Sequence, residues 1–185
     1  MDSPADRVIN LIQTCQARTF LPIIGPAKGK VLERIVKKEK PHRILEIGTL
    51  IGYSSILMAK HLDKSGKIYT IEIDKEAAEA AVKNIIEAKL QDKIEVIIGD
   101  AIKKIKNITE KFDVLFLDAG KEQYLKYLKL AEPKLKKGAI VVADNVKLFG
   151  GDMADYLEYV RESPNYRSRT IDFGQDGVEI SIKLF

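Results

Sequence analysis

The stretch Arg43-Ile-Leu-Glu46-Ile47-Gly48-Thr-Leu-Ile-Gly52-Tyr53-Ser54 runs from an apolar, β-branched segment through a glycine-marked turn into a helical pattern. Apolar or β-branched runs recur at 67–73, 94–98, 113–117 and 139–143, and helical periodicity occupies 53–61, 75–90 and 122–135. The first, fourth and fifth runs are apolar almost throughout, as strands covered on both faces of a parallel sheet are. Asp74 offers an N-cap to the second of these helices, and Gly66 and Gly138 stop basic stretches before the next strand. The order predicts a doubly wound, mostly parallel α/β sheet with right-handed crossovers. Two further helices, 5–18 and 27–38, precede the first strand. The rhythm changes at the end, where 166–173 and 178–184 flank the turn Gly174-Gln-Asp-Gly177. That predicts a C-terminal antiparallel hairpin on one edge and seven strands in all.

Composition narrows the function. The chain has 185 residues, 45% of them hydrophobic, with a formal net charge of +4 spread without long single-sign blocks. This suits one domain over 1–185 with a full core; it excludes a disordered chain and argues against a dedicated nucleic-acid coat protein. The single cysteine, Cys15, rules out an internal disulfide, zinc ribbons and iron–sulfur clusters. The expectation is a cytoplasmic protein with no membrane span, since neither a signal-peptide pattern nor a long apolar run is present.

In such sheets ligands lie across the carboxyl ends of the strands. After the first strand, Gly48 and Gly52 permit a tight turn, but position 50, where a dinucleotide fingerprint has its second glycine, is Leu. Glu46 ends a buried strand and needs a partner, such as a ligand ammonium. Glu72 ends the second strand, 24 positions beyond Gly48, which suits a carboxylate holding a ribose diol. Asp100 and Ala101 follow the third strand, where an adenine edge would bind. The fourth strand ends in Asp118, and the fifth in Asp144-Asn145. Neighbouring strands lie roughly 5 Å apart, so these oxygens converge. Two carboxylates and an amide suit a hard cation such as Mg²⁺; a strand-end capping network is the alternative. Lys121 reaches the same place or is a solvated lysine. His42 and His61 lie too far from the strand ends to take part.

Together these motifs carry a resemblance. Residues 45–54, 70–74, Phe116-Leu-Asp-Ala-Gly-Lys-Glu-Gln-Tyr124 and Ala143-Asp-Asn-Val146 stand in the order found in the cation-dependent O-methyltransferases. The chain resembles this group, which includes the catechol and caffeoyl-CoA enzymes, from about residue 21 onward. The resemblance implies a Rossmann-like class I methyltransferase fold, S-adenosylmethionine as donor, and Mg²⁺ or another divalent ion. It implies Asp118, Asp144 and Asn145 as metal ligands and Lys121 as the catalytic lysine. Glu72 would hold the ribose; Glu46, Gly48 and Ser54 would line the methionine end. Ile24 and Gly25 would cover the donor, Asp100 and Ala101 would meet the adenine, Asp118 would touch the donor, and Tyr53 would pack near the methyl group. It also implies a homodimer and a hydroxylated aromatic acceptor, a catechol-like vicinal diphenol. Two departures bear on the acceptor: Ala119 and Gly120 stand where the catechol enzyme has His and Trp, and Thr170 and Asp172 flank the place of its substrate-side carboxylate.

Other readings remain at this stage. Bacterial relatives methylate a hydroxylated wobble uridine in tRNA, and Lys147, Arg161, Arg167 and Arg169 would then form a basic rim; a solvated basic face is the alternative. An NAD-dependent oxidoreductase and a non-catalytic nucleoside-binding module are the readings from other classes. The loop 147–151 and the helix 153–161 are expected to border the acceptor pocket.

Overall fold

The structure is a computed structural model describing residues 2–185. Five strands are parallel: β1 (Arg43–Ile47), β2 (Lys67–Glu72), β3 (Ile94–Ile98), β4 (Phe112–Leu117) and β5 (Leu135–Ala143). β6 (Tyr166–Asp172) and β7 (Gly177–Lys183) form the terminal hairpin, with β7 antiparallel to β5. The order across the sheet is β3-β2-β1-β4-β5-β7-β6. The chain thus works outward from β1 to β3, returns to the centre for β4, and works outward the other way. The crevice at that reversal, outside the carboxyl ends of β1 and β4, is where such sheets bind ligands.

Side chains alternate across each central strand, so β1 and β4 feed two cores. On one face, Ile44, Ile68, Val114 and Val142 meet Val8 of α1 (Pro4–Gln16), Leu32 of α2 (Gly25–Glu39), Ile56 of α3 (Tyr53–Ala59) and Ile85 of α4 (Lys75–Glu87). On the other, Leu45, Ile47, Leu115 and Val141 meet Ile105 of α5 (Ala101–Asn107), Leu128 of α6 (Tyr124–Ala131) and Val160 of α7 (Ala154–Glu162). Fully buried strands have no polar face, and this is why these runs are apolar throughout. Among the described residues no helix is long and apolar enough to cross a membrane.

The structure differs from the sequence reading in three places. The helix expected over 122–135 stops at Ala131, because Pro133 has no N–H to continue it; a 3-10 turn, Glu132–Lys134, leads directly into β5. Gly138 is therefore inside β5, at φ 80°, where the register against β4 slips between Phe112 and Val114. It is a bulge residue, not a helix stop. The third difference is α5, a helix of seven residues that the sequence reading did not place. Asp100 caps it by accepting the Ile102 N–H at 2.9 Å.

Gly48 ties β1 to β4. Its φ is 98°, and a Cβ there would lie 2.1 Å from the Asp118 carbonyl oxygen. Gly174 shares the left-handed conformation, at φ 80°, but has open space around it. Gly174→Ala should therefore cost only the backbone strain of about 1–2 kcal/mol, while Gly48→Ala should cost clearly more because backbone must also move. Urea midpoints of the two variants test the difference.

Candidate active site

Four backbone hydrogen bonds carry the sheet ladder just past the strand ends. Gly99 N–H donates to the Glu72 carbonyl (2.7 Å), Gly48 to Ile71 (3.0 Å), Asp118 to Ile47 (2.9 Å) and Asp144 to Leu117 (3.1 Å). They set Glu72, Gly48, Asp118 and Asp144 in a row along the carboxyl edge. A cavity of about 860 Å³ opens over that row, a size suited to a nucleoside-sized ligand together with a small partner. Ile24, Gly48, Tyr53, Ser54, Glu72, Asp100, Ala101, Asp118, Lys121, Asp144 and Asn145 are all on its wall. Phe20, Pro22, Leu148 and Phe149 add apolar surface.

Two expected site residues are off the wall. Gly25 begins α2 at φ 73° and is buried behind Ile24 in sequence. Glu46 is fully buried and accepts hydrogen bonds from the Ser54 and Ser55 hydroxyls. A ligand ammonium is thus not its partner; the first turn of α3 supplies the donors instead. Burial pushes its carboxyl up to about 7, only partly offset by Ser54, Ser55 and Thr70.

Glu72 is held more openly. One oxygen accepts the Thr49 and Leu50 N–H groups at 3.1 and 2.7 Å, and the other accepts Asp74 N–H at 2.9 Å. Its carboxylate is therefore fixed in orientation while retaining acceptor capacity toward the cavity.

The acidic end contains two residues that the sequence reading missed. Lys28, on α2, lies 2.8 Å from Asp144 Oδ2 and 2.7 Å from Asp176 Oδ2. Burial disfavours its charge, but Asp144 and Asp176 outweigh that and raise its pKa. Asp176, in the β6–β7 turn, also accepts the Asn145 side-chain amide at 2.8 Å. Burial pushes the Asp176 carboxyl up, yet Lys28, the Gly177 N–H and Asn145 together hold it at about 2. Burial and the charge of Asp118 raise Asp144 against the pull of Lys28. Nothing in the linear sequence connects position 28 with 144 or 176, and Asp176 reads there simply as a turn residue.

The donor set passes a test of fit for a hard cation. Asp118 gives Oδ1 to Lys121 at 2.9 Å, Asp144 gives Oδ2 to Lys28, and Asn145 gives its NH₂ to Asp176. The Asp144 carboxylate is buried, and Lys28 Nζ lies against both of its oxygens, 2.6 Å from Oδ1 and 2.8 Å from Oδ2. Asp118 and Asn145 thus each keep one oxygen uncommitted, and Asp144 presents a carboxylate that a cation would share with Lys28; this is an all-oxygen set of the kind Mg²⁺ takes. Lys121 also donates to the Tyr124 hydroxyl at 2.8 Å, and that hydroxyl donates to the Leu117 carbonyl at 2.9 Å. Tyr124 was not singled out, although it lies one helical turn beyond Lys121.

Two of the four residues of the expected basic rim are paired within the chain. Arg161 pairs with buried Glu179 at 2.9 Å, and Lys147 with Asp172 at 3.0 Å. Leu148 and Phe149 of the loop 147–151 do border the cavity, but α7 does not. Its Tyr156 packs edge-on against Tyr124 beneath the site, with ring centroids 5.7 Å apart.

The sequence model of a family described as O-methyltransferase matches residues 8–169. The chain belongs to this O-methyltransferase family. It is 35% identical over 183 residues to catechol O-methyltransferase B of Danio rerio, covering 92% of this chain and 69% of that protein. To the catechol O-methyltransferase of Niastella koreensis it is 38% identical over 127 residues, covering 66% and 58%. A crystal structure of an O-methyltransferase of tomaymycin synthesis from Streptomyces achromogenes, in complex with SAM, superposes with a TM-score of 0.88 at 26% identity, covering 100% and 91%. The seven-stranded class I methyltransferase fold with its antiparallel end is thus shared with solved O-methyltransferases.

Glu46 makes a pH signature for this family member. It ionises near 4.5 in the unfolded chain but is held neutral to about pH 7 in the folded one, so its stabilising contribution is complete below 4.5 and is lost as pH rises through 7. Subtracting the stability curve of Glu46→Gln from that of the unsubstituted protein should reveal a fall of about 3 kcal/mol across that window. Denaturant unfolding at stepped pH measures it.

Proposed function

We propose that the chain transfers a methyl group from S-adenosylmethionine to one hydroxyl of a catechol-like vicinal diphenol, with a divalent cation bound at Asp118, Asp144 and Asn145. The observation that carries this reading is the convergence of the Asp118, Asp144 and Asn145 side-chain oxygens beside Lys121, on one wall of a cavity whose other wall offers Glu72 and Asp100.

Glu72 would hold the ribose hydroxyls of the donor, Asp100 and Ala101 the adenine, and Gly48, Tyr53 and Ser54 the methionine end. Glu46 would act through Ser54, whose hydroxyl it orients. Tyr53 is itself held, since its hydroxyl accepts from the Gln13 amide of α1 at 2.7 Å. A flat acceptor would lie against Leu148 and Phe149 with its hydroxyls toward the acidic end. A divalent cation at those oxygens would favour the ionised form of a phenol, whose ordinary pKa is near 10.

Lys121, its own proton released once a cation occupies the site, would take the phenolic proton at Nζ, and its contacts with Asp118 and Tyr124 aim that nitrogen. The oxygen then forms a bond to the methyl carbon as the carbon–sulfur bond breaks. Alignment of the two within one water-poor cavity is worth up to about 7–11 kcal/mol of barrier.

Transfer of label from S-adenosylmethionine to a diphenol panel should require Mg²⁺ and vanish with EDTA. Lys121→Met should lower kcat by about 10²–10⁴-fold while donor binding persists. Transfer that is indifferent to chelator would overturn the metal reading, and donor binding without transfer to any diphenol would overturn the acceptor class.

A further inference from the structure

We propose that Asp176 and Lys28 are positioning residues, an outer clamp that turns the Asn145 ligand oxygen toward the divalent cation and holds the Asp144 carboxylate beside it; this rests on the metal reading above. The two residues come from distant parts of the fold, α2 and the β6–β7 turn, and meet at 2.7 Å with side chains 14% and 17% exposed. Each then holds one ligand: Asp176 takes Asn145 by the amide nitrogen, which a cation does not use, and Lys28 fixes the Asp144 carboxylate in place.

Asp176 Oδ2 accepts the Asn145 amide nitrogen at 2.8 Å. The amide is thereby oriented: turned by half a rotation, it would present NH₂, which cannot ligate a cation. Lys28 Nζ lies 2.8 Å from Asp144 Oδ2 and 2.6 Å from Oδ1, so it anchors the carboxylate as a whole and ties it to Asp176. Asp176 is itself immobilised, because its Oδ1 accepts the Gly177 N–H at 2.7 Å and faces the Leu148 N–H at 3.4 Å. Lys28 and Asp176 carry opposite charges, so as a pair they align two ligands while adding no net charge. Partners of this kind around a metal site contribute through ligand orientation.

That balance makes the test decisive. Lys28→Met leaves the site more negative and Asp176→Asn leaves it less negative, so a purely electrostatic role predicts opposite effects on cation affinity. The clamp predicts the same direction: Mn²⁺ affinity, followed by titration calorimetry and by the Mn²⁺ paramagnetic resonance signal, should fall about 10–100-fold in both variants. Lys28→Arg, which keeps charge and bulk, should lose less than Lys28→Met and guards against simple misfolding. Binding of S-adenosylhomocysteine should stay within about twofold, since neither residue approaches Glu72 or Asp100.

Tighter Mn²⁺ binding in Lys28→Met, or unchanged binding in both variants, overturns the clamp and leaves the metal reading standing. An equal loss of S-adenosylhomocysteine and Mn²⁺ binding also overturns it, since that reports general loosening. Absence of Mn²⁺ binding in the unsubstituted protein overturns the metal reading, and the clamp with it.

Discussion

Everything at the carboxyl edge of this sheet depends on the parallel hydrogen-bond register. Gly48, Asp118, Asp144 and Gly99 each donate a backbone N–H to a carbonyl at the end of the neighbouring strand. Parallel pairing places equivalent strand ends side by side, at roughly 5 Å spacing. Residues separated by tens of positions in sequence thereby become neighbours along one line. Gly48 is the tightest point of that line, because the Asp118 carbonyl occupies the volume a side chain would need.

Such alignment concentrates charge. Asp118 and Asp144 end adjacent strands, and Asp176 comes over from the terminal hairpin. The molecule balances them with two ammonium groups that arrive from different helices: Lys121 on Asp118, and Lys28 between Asp144 and Asp176. Three carboxylates and two lysines leave a site one charge short of neutral, which favours a cationic guest. Glu46, fully buried, is handled differently. It has hydroxyl partners and no cation, so desolvation wins and its carboxyl is raised instead of being charged and paired. One sheet edge thus contains both solutions to a buried acid, pairing and neutralisation.

Much of the site was legible because its residues sit at strand ends, and strand ends are visible where apolar runs stop. Asp118, Asp144, Asn145, Glu72, Asp100 and Gly48 were all found in that way, and all reach the cavity wall. Glu46 was misread for the same reason. It ends an apolar run too, but side chains alternate along a strand, and its side of β1 is capped by Ser54 and Ser55. Lys28 and Asp176 left no signal. One is a lysine in a lysine-rich helix and the other a turn acid, and only folding brings them within 2.7 Å. The helix α5 escaped because it is short and lysine-rich, with only Ala101 and Ile105 buried, so its apolar face leaves little pattern.

The sequence by itself determined the strands and their order, most of the helices, and the chemistry at most strand ends. Those features follow from local patterns: apolar runs, glycine-marked turns and caps set within a few residues. Only the tertiary structure decided which side chains share a charge, which end of the Asn145 amide is held, and which acid is buried neutral. These depend on distances of about 3 Å between groups on separate elements, and hydrogen-bond strength changes too steeply over that range for linear spacing to specify it.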